Sequence, residues 1–259
     1  MEKDTPLRGG NITGVIRAGE IVHRAMGPWS PTMHSFLRYL ESQRFEGAPK
    51  FLGIDAQGRE MLSFIEGEVG NYSLSSYMWS DENVIEVARF LRRYHDATIG
   101  FVPPVESVWQ FKYEGQYQHE VICHNDVAPY NMIYRGEKPY ALIDFDTACP
   151  GPRIWDSAYA VYRFIPLSYT EDMQALGVAE PREQARRLQL FCQAYDLRHK
   201  YEELLSTVER RLEALCALLL ANAHIPTYQK LLAEGHLDYY KREITNLQRY
   251  RPLLERCLS

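Results

Sequence analysis

The 259-residue chain has no CxxC pair among its five cysteines, Cys123, Cys149, Cys192, Cys216 and Cys257. That odd and scattered set supports neither a disulfide framework nor a zinc knuckle. Long apolar runs are missing too. The best, Leu212 to Ile225, is interrupted by Glu213, Asn222 and His224 and is too short to cross a bilayer, so no membrane partner is expected. Positive charge is in deficit: 29 Lys+Arg stand against 34 Asp+Glu, a net charge of −5. That balance argues against nucleic-acid binding by bulk electrostatics. Met1 to Pro6 has no apolar segment of the kind found in a secretory signal, and a cytoplasmic protein is expected. The common nucleotide signatures are also absent, with neither GxGxxG nor a Walker A lysine motif anywhere.

With 46% hydrophobic and 24% charged residues, the chain can bury a substantial core as one large domain or two small ones. Residues 8 to 24 read as two short strands with glycines at the first turn and Ala18-Gly19 at the second. An amphipathic helix over Thr32 to Gln43 follows, capped by Ser30 or Thr32, with Met33, Phe36, Leu37 and Leu40 at helical spacing. Strands over Pro49 to Ile54 and Glu60 to Ile65 are joined by the turn Asp55-Ala56-Gln57-Gly58. Past a hinge at Glu66 to Gly70 the pattern changes. Glu82 to Ala97 and Lys200 to Ala223 read as helices, and helical patterns dominate after about Glu180. The Arg186-Arg187 and Arg210-Arg211 pairs read as solvated helix faces. The expected class is α+β and bilobal: a β-rich N-terminal lobe over residues 1–67 and a larger, mostly helical lobe over 68–259.

The chemistry is concentrated in His124-Asn125-Asp126-Val127-Ala128-Pro129-Tyr130-Asn131 and, after a hairpin turned at Arg135 to Lys138, in Ile143-Asp144-Phe145-Asp146. An Asp, an Asn five residues on and a second Asp at the end of a hairpin can converge on one point. Phosphoryl transfer from a nucleotide needs such a set: a carboxylate to orient the attacking hydroxyl, and an amide oxygen and a carboxylate to hold magnesium.

These segments resemble the aminoglycoside phosphotransferase and choline kinase family, whose fold is protein-kinase-like. HNDVAPYN is similar to that family's HGDxxxxN loop, and IDFD stands at its DFG position. Leu91-Arg92-Arg93-Tyr94-His95-Asp96 resembles its LHD-ending helix, Phe64-Ile65-Glu66-Gly67 its hinge, and Trp155-Asp156 its downstream aspartate that braces the loop. The resemblance implies that Asp126 is the catalytic base or hydroxyl-orienting residue, that Asn131 and Asp144 are magnesium ligands, and that His124 is structural. It leaves Asp146 between a place near the metal and a solvated one. It implies ATP and Mg2+ as cofactors and a small-molecule hydroxyl acceptor, with Phe64 and Ile65 on the nucleotide.

The nucleotide lobe departs from that pattern. Gly9-Gly10-Asn11-Ile12-Thr13-Gly14 is the one candidate phosphate-covering turn, with Gly10 and Asn11 at its centre. No lysine lies near Ile21 to Arg24, so Arg24 is the candidate phosphate-binding cation. Its carboxylate partner stays open, with His34 near the expected helix position and Glu41 more than a turn beyond. Residues 160–259 carry 14 Lys+Arg and 13 Asp+Glu, a balance that does not favour a polycationic acceptor. A kinase-like regulatory protein that binds nucleotide without transfer remains the alternative, and no seam or apolar patch marks an oligomer interface.

Overall fold

A computed structural model describes residues 5–6, 15–167 and 180–258. The candidate turn holding Gly10 and Asn11 lies outside the described residues. The chain divides into two compact units, Met1–Trp79 with Phe90–Asp156, and Ser80–Arg89 with Ser157–Ser259. These cuts fall at other places than residue 67, so the division at 67/68 stays a proposed division of function.

The first unit is built on a five-stranded antiparallel sheet of β1 (Thr5–Pro6), β2 (Ile16–Ala18), β3 (Ile21–Arg24), β4 (Phe51–Ile54) and β5 (Glu60–Ser63). Their spatial order is β1-β2-β3-β5-β4. β4 and β5 meet at the expected turn, where Asp55 accepts from the amides of Gln57 and Arg59 and Gly58 takes a φ of 74°. A bulge between Phe51 and Gly53 falls where Gly53 has a φ of 140°, a conformation open to glycine. β3 pairs with β5 so that Arg24 stands directly opposite Glu60.

Helix α1 (Ser30–Ser42) buries Met33, Phe36, Leu37 and Leu40 as the helical spacing requires. Its start differs from the expectation: Trp29 is the N-cap, without a side-chain cap bond. Pro31 explains the shift, because proline suits the first turn, where its missing N–H costs nothing. The Ser30 hydroxyl instead accepts from the Gly27 amide at 3.0 Å, and that of Thr32 from the Val108 amide at 2.9 Å.

Two small sheets complete this unit. β7 (Val121–Cys123) pairs with β10 (Cys149–Gly151), and β6 (Glu68–Val69) lies beside β8 (Met132–Arg135) and β9 (Lys138–Leu142). The β8–β9 hairpin closes through Gly136 and Glu137, both at positive φ (53° and 63°), matching the right-handed twist of the strands. Helices α2 (Asp81–Thr98) and α3 (Arg153–Phe164) contribute residues to both units.

The second unit continues with α4 (Pro181–Tyr195), α5 (Tyr201–Ala221), α6 (Pro226–Ala233) and α7 (His236–Leu258). α7 packs against α4 and α5, where Leu188, Phe191, Leu204, Val208, Leu212, Leu247 and Leu254 are buried. The two arginine pairs do not both face water. Arg187 is buried and pairs with Asp81 and Glu183, and Arg211 is buried with its guanidinium 5.0 Å from the Tyr159 ring centroid. Successive helical positions lie about 100° apart, so one member of a pair turns inward. Among the described residues no helix is long and apolar enough to cross a membrane.

Candidate active site

The loop leaving β7 is fixed from below. Asp156, in the first turn of α3, is fully buried; its Oδ2 accepts the His124 amide at 2.7 Å and its Oδ1 the Asn125 amide at 2.8 Å. The equally buried His95 on α2 donates from Nε2 to Asp156 Oδ2 at 3.0 Å. Burial alone raises the pKa of the Asp156 carboxyl, but the bonds from His95 and His124 hold it below the ordinary range. Burial pushes His95 below its usual value, against the opposing pull of Asp156.

Asn125 bends the loop with a φ of 66°. Asparagine tolerates this left-handed region, as glycine does in the motif this segment resembles. Its side-chain amide then donates to the Thr147 carbonyl at 2.9 Å, tying the loop to the segment after Asp144. His124 is buried; its Nε2 donates to the Ile143 carbonyl at 3.0 Å, and its Nδ1 accepts the Asp126 amide at 3.3 Å. Both ring nitrogens are thus committed to backbone.

Asp126 projects from this braced loop. A single 3₁₀ turn over Pro129–Asn131 folds the chain back over it. The Tyr130 hydroxyl donates to Asp126 Oδ1 at 2.6 Å, and Asn131 Nδ2 to Oδ2 at 2.9 Å. Because the Asn131 NH₂ is spent on Asp126, its Oδ1 remains as an acceptor oxygen. The Ile143 amide donates to the Asn131 carbonyl at 2.9 Å, which sets Asp144 one residue beyond. Asp144 takes a φ of 64° and keeps its side chain 47% exposed.

Arg24, at the end of β3, meets three carboxylates. Its Nε donates to Glu60 Oε1 at 2.5 Å, one terminal nitrogen to Asp144 Oδ1 at 2.9 Å, and the other to Asp146 Oδ1 at 2.5 Å. Burial opposes its charge, but Asp146, Glu60 and Asp144 outweigh burial and hold its pKa above the ordinary value. Burial raises Asp146, which Asp144 and Glu60 reinforce against Arg24. His34 donates from Nε2 to Glu60 Oε2 at 2.6 Å. The open question of the arginine's partner therefore resolves to Glu60 on the neighbouring strand, with His34 behind it. Glu41 pairs with Lys50 at 2.9 Å on the surface instead.

The structure thus gathers Arg24, Asp126, Asn131, Asp144 and Asp146 within one unit. The Phe64 amide donates to the Glu20 carbonyl and its ring lies 3.5 Å from the Arg17 guanidinium, and the expected place of Phe64 and Ile65 on the nucleotide stays a proposal. Among the described residues no hydrogen bond or ring contact joins Phe64 or the half-buried Ile65 to the Arg24 cluster. Sequence reasoning missed Glu60 and Tyr130. The signal for Glu60 was a lone acid opening an apolar strand; for Tyr130 it was a hydroxyl four residues after Asp126.

Three carboxylates surround one guanidinium, an excess of negative charge that suits a divalent cation. The oxygens at hand, Asn131 Oδ1 and the exposed Asp144 carboxylate, are hard donors of the kind magnesium takes. Among the described residues no group of three or more His, Cys, Asp or Glu side chains forms a metal centre by itself. Magnesium binds one or two protein groups and completes its shell with phosphates and water, so Asn131 Oδ1 and the Asp144 carboxylate are the donors that would serve it.

Asp126 with Asn131, and Arg24 with Asp144, are thus held in the kind of arrangement that the resemblance implies for a kinase-like phosphotransferase. The family model described as "Phosphotransferase enzyme family" matches residues 32–204, and the chain belongs to that family. The trifolitoxin immunity protein of Rhizobium leguminosarum bv. trifolii is 37% identical over 205 residues, covering 77% of each chain. Among solved structures, an ethanolamine kinase of Plasmodium vivax aligns with a TM-score of 0.61 at 12% identity, over 95% of this chain and 81% of that one. The streptomycin–ATP ternary complex of APH(2")-IIa aligns at 0.53 and 14% identity, over 88% and 91%. The fold is the α+β kinase-like one that the motifs implied.

Proposed function

We propose that the protein is an ATP-dependent, magnesium-requiring phosphotransferase that moves the γ-phosphate to a hydroxyl of a small molecule in the cytoplasm. The observation that carries this reading is the Asp126–Asn131–Asp144 arrangement, with Asp126 oriented by two donors and Arg24 beside Asp144. In it Asp126 accepts the hydrogen bond, and then the proton, of the acceptor hydroxyl. Arg24 grips phosphate oxygens with its terminal nitrogens. Asn131 Oδ1 and the Asp144 carboxylate hold the metal, which when bound neutralises charge on the transferring phosphate. The acceptor classes are an aminoglycoside-like antibiotic or an amino-alcohol or sugar metabolite, and the relative named as a trifolitoxin immunity protein lends support to an antimicrobial compound among them.

Calorimetry with ATP and GTP, with and without magnesium, followed by a screen of hydroxyl acceptors for ADP release, tests the reading. Magnesium-dependent ATP binding and acceptor-dependent ADP release are expected. Nucleotide binding with no release for any acceptor, and no slow hydrolysis, favours the regulatory alternative. No nucleotide binding removes both.

A further inference from the structure

Glu60 and His34 are buried, ionisable and unused by the transfer step. Glu60 is 1% exposed and His34 6%. His34 reaches Glu60 from α1 and stacks on Phe51 of β4, ring centroids 3.7 Å apart at 13°. One carboxylate oxygen of Glu60 takes His34 and the other takes Arg24 Nε. Burial raises the Glu60 carboxyl, but His34 and Arg24 hold it below the ordinary range, so it stays ionised between them. Glu60 and Arg24 are also register partners across β3 and β5, which fixes both backbones.

The two ends of the guanidinium differ. Nε faces the buried Glu60, whereas the terminal nitrogens face Asp144 and Asp146, whose side chains are 47% and 25% exposed. Arginine alone can keep one edge tethered while its other nitrogens change partners; lysine offers a single donor centre. The exposed contacts are the ones an arriving phosphate can replace.

We propose that Glu60 and His34 are positioning residues, a relay from α1 through β5 that aims the Arg24 terminal nitrogens at the nucleotide phosphates. The proposal rests on the reading of Arg24 as the phosphate-binding cation. Neither residue touches nucleotide; both act through Arg24. The relay does here, from a strand and through a histidine, what a helix-borne carboxylate does elsewhere for a strand-borne lysine.

A double-variant cycle on the full chain tests it, reading magnesium–ATP affinity by calorimetry and folding by thermal unfolding. Arg24→Met and Glu60→Gln should each weaken ATP about 10- to 100-fold, the scale of a lost charge-assisted hydrogen bond. The double variant should bind no worse than Arg24→Met alone, because Glu60 acts only through Arg24. His34→Ala should weaken ATP, and His34→Gln, which keeps an N–H for Glu60, should restore it. That last pair decides the question if Glu60→Gln unfolds. Losses that multiply in the double variant, unchanged ATP affinity in Glu60→Gln, or equal behaviour of His34→Ala and His34→Gln overturns the relay alone. Unchanged affinity in Arg24→Met overturns the reading of Arg24 beneath it.

Discussion

Two charged clusters in the first unit handle their carboxylates in opposite ways. Around Asp156 one buried carboxylate meets two backbone amides and a histidine, so its oxygens are spent inside the protein. Around Arg24 three carboxylates share one guanidinium, and two of them reach solvent. The first cluster is complete without a ligand and fixes the loop that carries Asp126. The second gathers more carboxylates than guanidinium charge, at side chains that reach solvent. A fixed loop carrying Asp126 therefore stands beside a cluster whose solvent-facing contacts, under the proposed function, phosphate and metal would exchange.

The largest effects should separate holding the loop from acting on it. Asp156→Ala leaves the His124 and Asn125 amides and His95 buried without their acceptor, and should cost about 3–5 kcal/mol in denaturant unfolding. Asp126→Ala should leave unfolding and nucleotide affinity close to wild type yet lower turnover about 10²- to 10⁴-fold. Retained turnover in Asp126→Ala would remove it from the mechanism. A folded, stable Asp156→Ala protein would show that the loop is held by something else.

Asp144→Ala probes the exchangeable cluster and should change sign with the metal. With magnesium present, ATP affinity should fall about tenfold or more, since a charge-assisted contact is lost. Without magnesium it should equal or exceed wild type, because Arg24 loses a competing carboxylate. Calorimetry under both conditions reads the difference, and wild-type affinity in both would deny Asp144 its metal role.

The contrast between the clusters also marks how far the sequence could be read. That Asp126, Asn131 and Asp144 come together was legible because the loop and the hairpin that position them are short and local, whereas their roles stay proposals. Asp156 was legible through the family resemblance, at its place after IDFD. Glu60 was not, because it meets Arg24 through strands paired across 36 positions, a register no local pattern states. His34 lay near the right place, but its bond to Glu60 depends on how α1 packs over the sheet. The Ser30 or Thr32 cap was misread because Pro31 lets the helix begin earlier. Arg187 and Arg211 were misread because helical phase, not charge, decides which of two adjacent residues turns inward.

The buried cluster should show itself in acid. The pKa of His95 is lowered in the folded protein, so the unfolded chain binds a proton that the native one refuses. Its contribution is fully present above the unfolded value near 6.5 and is lost as pH falls below it, by up to about 1.4 kcal/mol per pH unit. The carboxyl of Asp146, raised by burial, works the other way at lower pH: the native state holds its proton longer, and stability falls as pH rises through that range. Comparing wild type with His95→Gln, which keeps a donor for Asp156, isolates the histidine. Unfolding midpoints between pH 7 and 5 should drop less steeply in the variant; equal slopes would show that His95 does not carry the acid sensitivity.

The smallest expected effect lies where the two regions meet, at Asp126 itself. Its two oxygens are held by Tyr130 and Asn131, and Tyr130→Phe removes one donor while keeping the ring. A neutral hydrogen bond contributes roughly 0.5–1.5 kcal/mol, or a stronger amount when its acceptor is charged. Losing this one should lower kcat about 2- to 10-fold with the KM for ATP unchanged. The split matters more than the size. A rise in the KM for ATP instead would mean that Tyr130 supports the phosphate side through Asn131, and that the boundary between the fixed loop and the exchangeable cluster runs on the other side of the tyrosine.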